Sequence, residues 1–490
     1  MEYDLIEHVE DVLSRLESVS DVAYAEVGGV SRDISEAIVS ATTVRSTVDM
    51  TTAGVWWRVF VEGAADYRYT SELDDDHIED LIERSVRSAR LLDQSAPARY
   101  DRGRVHRATH PGWTSTETPP VDLPADDAAR RIREALDGPL DGLDVDRVRA
   151  SYRGERVDSV VTTTTDSAVD TTLDRSSIET VVALADGAKL RRHDGTTDGC
   201  VLRALPDRLD SLAASARDIA GRERTTADPA GRRDVVLRPL ATGSLIHQLS
   251  HYLELDSAYI GSSPVAPGDR VAGDPVCIDD TIPAGSWAAR AYDAEATPTQ
   301  SVSLVADGVA VDRLYDRPGA IEEDAFPAGH LIPSLGYDDP PRIHARHLEM
   351  DAGDRSVSAL RDGADIEVVR FGEPRLENEA TRTKRASAMP PSVLYAKDIA
   401  DSTPSEFDAE STAQAIRFPI REGYTLSDGD RDALIRDGVL SIALSDLLSI
   451  DALGATRRTL TGTCEKHRSR LPFAATAPSA RLTTSFESHR

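Results

Sequence analysis

Lysine is almost missing from this 490-residue chain: Lys189, Lys384, Lys397 and Lys466 are the only four, and every other basic residue among the 56 is arginine. Acidic residues outnumber basic ones 85 to 56, and the formal net charge of -29 argues against a nucleic-acid phosphate backbone or an anionic membrane as partner. Aromatic residues are scarce as well, at 5%. An Asp-rich, Lys-poor surface of this kind fits a halophilic protein from a high-salt cytoplasm, where screening shortens the reach of like-charge repulsion. The acidity is therefore read as habitat, not function. Three cysteines, Cys200, Cys277 and Cys464, are too few and too scattered for a disulfide framework, which implies a reducing compartment. No apolar run approaches the ~20 residues of a membrane span, and the acidic N-terminus lacks the basic region of a signal peptide, so a soluble cytoplasmic protein is expected. Missing too are a Ser/His/Asp constellation, a phosphate-cradling glycine loop, a CxxC pair and any internal repeat.

The chain is too long for one compact core. Residues 4–18 carry Leu5, Val9, Val12 and Leu16 on one stripe of a helix with Asp4 as its N-cap, and residues 74–92 form a second helix. Between them, 23–27, 37–48, 54–61 and 63–70 have strand composition. This gives an α+β subdomain over 1–95. Residues 96–125, rich in Pro, Thr, Ser and Gly, read as a linker. A second α+β subdomain over 126–228 is expected from a helix at 126–136, strands at 145–152, 159–165, 167–173 and 177–185, and a helix at 207–220; the run Thr162 to Thr165 is strand composition, not a nucleophile. Residues 229–490 read as a third, β-rich domain, with strands starting at Asp234, at 289–292, at 300–306 and 309–315 around an Asp307-Gly308 hairpin turn, and at 366–371, 415–420, 423–426 and 432–440, plus a short helix at 445–450.

One segment carries chemistry. After the apolar strand at Asp234, a Thr/Gly/Ser turn leads into an amphipathic helix with His247 and His251 four residues apart. Two imidazoles at i and i+4 share a helix face and can share one metal ion, and a glutamate directly after the first would activate bound water. That position holds Gln248, whose amide has no useful basicity. His344 and His347, set among charged residues, read as a solvated surface pair.

The order of several further segments resembles the TldD/PmbA family, whose TldD branch holds metallopeptidases also described as modulators of DNA gyrase. The segments are Gly54-Val-Trp-Trp-Arg-Val59, Asp293-Ala-Glu-Ala-Thr-Pro-Thr-Gln300, Leu314-Tyr-Asp-Arg317, Arg421-Glu-Gly-Tyr424 and Gly462-Thr-Cys464-Glu-Lys466. The cysteine favours the TldD branch over the PmbA (TldE) branch. The resemblance implies an α+β fold of two N-terminal α+β subdomains and a C-terminal β-rich, barrel-like domain. It also implies zinc as cofactor, small or unfolded peptides as substrate, and a paralogous TldD/TldE-type subunit, or a second copy in a homodimer, as partner. The family's pattern is His-Glu, three residues, His, then Leu-Glu and Asp, with a distant cysteine. Matching Leu253-Glu254 and Asp256 places His251 on the second His and Cys464 on the Cys, but puts Ile246 on the first His and His247 on the Glu. A one-residue slip makes His247 a ligand, giving His247, His251 and Cys464, with Gln248 at the base position. Either register lacks the glutamate. Glu254 is a candidate for the base or for orienting the site, and His467 is a candidate substitute ligand. Two readings follow: a metallopeptidase with an altered zinc site, or a non-catalytic subunit that partners an active paralogue. Direct gyrase or DNA binding has the wrong charge.

Overall fold

The computed structural model describes residues 5–41, 43–61, 64–93, 112–225, 231–259, 263–336, 338–376, 415–466 and 469–488. The expected N-cap Asp4 and the candidate ligand His467 lie outside the described residues.

The N-terminal sheet consists of β1 (Val22–Ser40), β2 (Thr43–Val61), β3 (Ala64–Thr70), β4 (Gly112–Glu117), β5 (Val145–Thr163), β6 (Ser167–Leu184) and β7 (Lys189–Thr196). Its order is β3-β2-β1-β5-β6-β4, and β7 also pairs with β6. The two N-terminal units expected from the sequence thus share one sheet, joined where β1 runs antiparallel to β5 from Glu26 opposite Thr163 to Ser40 opposite Arg149. Part of the expected linker is β4, parallel to β6, and Leu123 is buried beyond it; residues 94–111 lie outside the described residues. The expected strand 37–48 is really the end of β1 and the start of β2, separated by a turn at Ala41 with φ 52°.

Strands expected to stop near 152 and 173 run on because their charged middles pair with each other. Gly154, Glu155 and Arg156 face Ser176, Arg175 and Asp174 in unbroken register. Glu155 is buried, accepts from Arg32 at 2.5 Å and Arg153 at 3.1 Å, and also bonds Arg175. Burial alone would raise its carboxyl, but Arg175, Arg32 and Arg153 hold it at about 2. Consecutive residues of β2 then point to opposite faces. Trp57 and Val59 pack with Val9, Val12 and Leu16 of helix Leu5–Glu17 and with Ile78 and Ile82 of helix Asp75–Asp93, whereas Trp56 joins Tyr67, Val161 and Val169 in the core of the C-terminal region. The helices Ala125–Leu136 and Leu205–Ala220 fill a third core with Tyr152, Tyr424 and Leu434.

Among the described residues the C-terminal sheet has 13 strands and is barrel-like: helix Pro239–Ser250 contacts strands Gly231–Leu237, His347–Met350, Ile366–Phe371, Ala452–Lys466 and Ser469–Ser488 around it. The last two are its longest elements and were not expected as strands. Ser469–Ser488 pairs with Ala452–Lys466, His347–Met350, Gly231–Leu237 and Gly438–Ala443. The Asp307-Gly308 turn forms with φ 48° and 75°, but its second arm is only Val309–Ala310. At 289–292 there is no strand, only an isolated bridge from Tyr292 to Pro298. The expected pair 415–420 and 423–426 is one strand, Ala415–Ser427; 432–440 splits into Asp430–Ile435 and Gly438–Ala443 at Asp437, φ 56°; and the short helix is the 3-10 turn Leu444–Ser449.

Where the two sheets meet, charge is buried. Arg58 binds Glu26 through two hydrogen bonds of 2.9 and 2.8 Å, also bonds Glu295, and lies 3.6 Å from Asp316. Arg317 donates to the Tyr24 hydroxyl at 2.9 Å. Burial pushes Glu26 up to about 8 against the pull of Arg58, and burial together with the Glu295 charge pushes Asp293 and Asp316 up to about 7. Burial also holds His193, His247, His330, His344 and His347 below the ordinary imidazole value. The two sets act oppositely. The carboxyls keep protons that the unfolded chain has released, so their contribution is lost as pH rises through 7 to 8. The imidazoles stay neutral where the unfolded chain protonates, so theirs is lost as pH falls below about 6.5. Denaturant midpoints of metal-free protein at constant salt are expected to peak near neutral pH and fall on both sides; a monotonic rise into alkali contradicts the carboxyl assignment.

Candidate metal centre

The central strand Gly231–Leu237 lies between Ser469–Ser488 and Ile366–Phe371, and Val235, Val236 and Leu237 are fully buried, as expected of a strand covered on both faces. Arg238 turns the chain, and Pro239 at the first helical position is preorganised for the helix that follows. This helix is not amphipathic as expected. Buried residues occur on all sides of it, from Ala241 and Thr242 through Leu245, Ile246 and His247 to Leu249 and Ser250, because it fills the sheet's interior. Gly243 permits that approach: a Cβ there would lie 3.1 Å from the Ala475 carbonyl oxygen. The helix ends by tightening into a 3-10 turn over His251–Leu253, and Glu254 is extended, bridged to Leu314.

His247, on the last turn, and His251, at the cap, therefore face the same side, with ring centroids 4.9 Å apart. Two other segments close on them. Cys464 stands on Ala452–Lys466, and its Sγ is 3.5 Å from His251 Nε2. His344 follows the short strand Arg342–Ile343, with centroids 5.3 Å from His247 and 5.5 Å from His251. One donor atom from each of His247, His251, His344 and Cys464 lies within 4.8 Å of the others. The expected trio thus comes together, and the sequence missed the fourth member. His344 and His347 are not a solvated surface pair: both are buried, because the neighbouring charges are consumed inside, as where Arg346 pairs with Asp280 at 2.7 Å.

The two histidines differ in satisfaction. His347 bonds Ser286 at 2.7 Å and Thr476 at 2.8 Å, which makes it structural. His344 uses Nδ1 on the Ala345 carbonyl at 2.6 Å and leaves buried Nε2 without a partner; His247 Nδ1 is orphaned likewise. Two buried, unpaired ring nitrogens beside a thiol are costly unless something binds them. Burial first, and then His251, keeps His247 well below the ordinary imidazole value; burial also outweighs Glu254 at His344. Neutral imidazoles and a cysteine suit zinc or another borderline-soft ion, so the residues present fit a metal.

Glu254 sits behind the donors. Both its oxygens approach His251 Nδ1, at 3.0 and 2.9 Å, which leaves the Nε2 lone pair toward Cys464. Its carboxylate is on the far side of the ring from the sulfur, so it orients the imidazole and is poorly placed for the base role considered from the sequence. Lys466, two residues beyond Cys464, anchors Glu254 at 2.7 Å, Asp256 at 2.6 Å and the Ile343 carbonyl at 2.7 Å. Burial lowers the ammonium, but Asp256 and Glu254 overcome it and hold the group above the ordinary lysine value. No carboxylate replaces the missing glutamate within the donor cluster among the described residues.

Phe473 stacks on His247 at 3.7 Å and 8° between planes, opposite Gly462 in the sheet. A Cβ at Gly462 would come within 2.7 Å of the Phe473 ring, which has the imidazole behind it. Gly462→Ala is expected to cost about 1–3 kcal/mol by overpacking and to weaken metal retention through His247. Unchanged denaturant midpoint and metal content would contradict this.

Known proteins resemble this chain in sequence and in fold. Residues 230–372 match the model of the PmbA/TldA metallopeptidase C-terminal domain. The chain is 24% identical over 374 residues to a metalloprotease of Methanothermobacter thermautotrophicus, covering 74% of each chain. In fold it resembles a protein of Bacteroides thetaiotaomicron described as a modulator of DNA gyrase, with TM-score 0.70, 14% identity and full coverage of both chains. It likewise resembles TldE from Thermococcus kodakarensis, with TM-score 0.67, 13% identity and coverage of 98% and 99%. Among the described residues no helix is long and apolar enough to cross a membrane.

Proposed function

The chain belongs to the TldD/PmbA family, and from that premise we propose that it is a metal-holding but non-hydrolytic member, carrying zinc on His247, His251, His344 and Cys464 and serving as partner to an active TldD/TldE-type paralogue. The observation that carries this reading is His344. Catalytic zinc sites keep three protein ligands and one open position, whereas structural sites are closed by four. A fourth donor within 4.8 Å of the others supports a shell closed by protein groups. The base is missing as well, since His247 or Gln248 stands where glutamate is expected, and Glu254 is committed to His251 and Lys466. When bound, a zinc ion would supply charge that ties three segments together: the end of helix Pro239–Ser250, the segment at His344, and strand Ala452–Lys466.

A second reading is favoured by one fact. His344 has a buried Nε2 without a partner, so with three ligands on the metal it would be the proton acceptor in place of the absent glutamate, a weak one because burial lowers its basicity, giving an impaired peptidase for small or unfolded peptides. Native mass spectrometry of protein purified in high salt without chelator, together with a peptide-hydrolysis assay, tests the two. The first reading expects about one zinc per chain and no turnover without a partner. Turnover that disappears in His344→Ala favours the second, and absence of metal refutes both.

A further inference from the structure

Away from the histidines and cysteine, the face of the N-terminal sheet and the C-terminal region enclose a cleft of about 200 Å³. Its floor is apolar: Trp56 and Tyr67 stack at 5.9 Å, with Val161 and Val169 beside them. Arg32, Arg175 and Arg290 also line it. The first two share Glu155, which Arg153 also binds, and Arg175 lies over the Trp287 ring at 5.3 Å. Arg290 is different. Its guanidinium makes no ion pair among the described residues, and Asp293, the acid that acts on it most, is occupied by the backbone N–H groups of Glu295, Thr297 and Leu331. Burial first, and then the Arg175 charge, pulls Arg290 down to about 10, which leaves it cationic at neutral pH and short of a counter-ion. Glu117 and Asp339 line the cleft too, but Asp339 bonds Ser334 and neither acid is among the largest influences on Arg290.

We propose that this cleft binds a free peptide C-terminus, with the carboxylate on Arg290 and a large apolar side chain on the Trp56 and Tyr67 floor. A carboxylate matches the guanidinium fork, and the apolar floor matches a side chain next to it. The four metal donors do not line the cleft; Pro341 does, and His344 is three residues farther along the chain, at most ~10–11 Å away. The identity of the ligand rests on the peptide substrate of the second reading above; the carboxylate subsite does not depend on the metal.

Calorimetric titration of the full chain at one salt concentration provides the test, with N-acetyl-phenylalanine, its amide, and decanoate as probes. The acid is expected to bind about 10–100-fold more tightly than the amide, from the loss of a charge-assisted hydrogen-bond pair. Arg290→Gln should erase that preference while leaving amide binding and zinc content unchanged, and Arg290→Lys should keep part of it. Equal binding of acid and amide, no binding of either, or a preference that survives Arg290→Gln overturns the subsite. Decanoate binding more tightly than the acid overturns the peptide assignment. Zinc content is read separately, so failure of the metal reading is distinguishable from failure of this one.

Discussion

Replacing His344 with alanine is expected to weaken zinc binding on the order of 10²–10³-fold. Structural zinc sites bind with ~10–16 kcal/mol, which spread over four donors gives ~2.5–4 kcal/mol for each. The substitution removes an orphaned buried nitrogen and also the Nδ1 bond to the Ala345 carbonyl, so apo stability should fall by no more than about 1–3 kcal/mol. That separation of effects is the useful part. If His344 were only a packing residue, its loss would lower apo stability and leave metal affinity alone. Competition with a chromogenic chelator measures the affinity, and denaturant unfolding in chelator measures the rest. Under the hydrolytic reading the same variant keeps most of its zinc and loses turnover.

The second large effect is expected at the junction of the two sheets. Arg58 is buried, and so are its partners Glu26, Glu295 and Asp316. Arg58→Ala leaves carboxylates without their cation in a dry interface, and breaking a buried pair in this way costs about 3–5 kcal/mol. Because Glu26 and Asp316 already have raised pKa values, of about 8 and 7, acid should neutralise them cheaply. The loss measured by denaturant unfolding should therefore be larger at pH 8 than at pH 6. A loss below about 1 kcal/mol at pH 8 would mean that the interface does not depend on this cation.

Why some of this was legible in the sequence and some was not can be argued residue by residue. The pair His247 and His251 could be read because helical spacing is local. Cys464 could not be placed by spacing, being 213 residues from His251, and entered only through the family resemblance. His344 was misread because Arg342, Arg346 and His347 around it suggested solvent. In the fold those charges are buried and paired, with Arg346 on Asp280 and Arg342 on Ser469. The same error shortened β5 and β6, where Glu155 and Arg175 looked like strand ends but pair across the sheet. Charge was taken as a sign of exposure, and it fails wherever partners come from distant sequence. Ala452–Lys466 and Ser469–Ser488 escaped for a different reason. They are dense in Thr, Ala and Arg, and their strand character comes from pairing with each other and, for Ser469–Ser488, with further strands, not from alternation. The helices of the N-terminal half, whose apolar stripes are local, fell close to their expected spans.

The central claim is a closed shell of four protein donors. X-ray absorption at the zinc edge of the protein as purified tests it most directly. The account predicts three imidazole nitrogens at ~2.0–2.1 Å and one sulfur at ~2.3 Å, with no further light ligand. A shell of two imidazoles, one sulfur and a water oxygen, or a shell without sulfur, would contradict it.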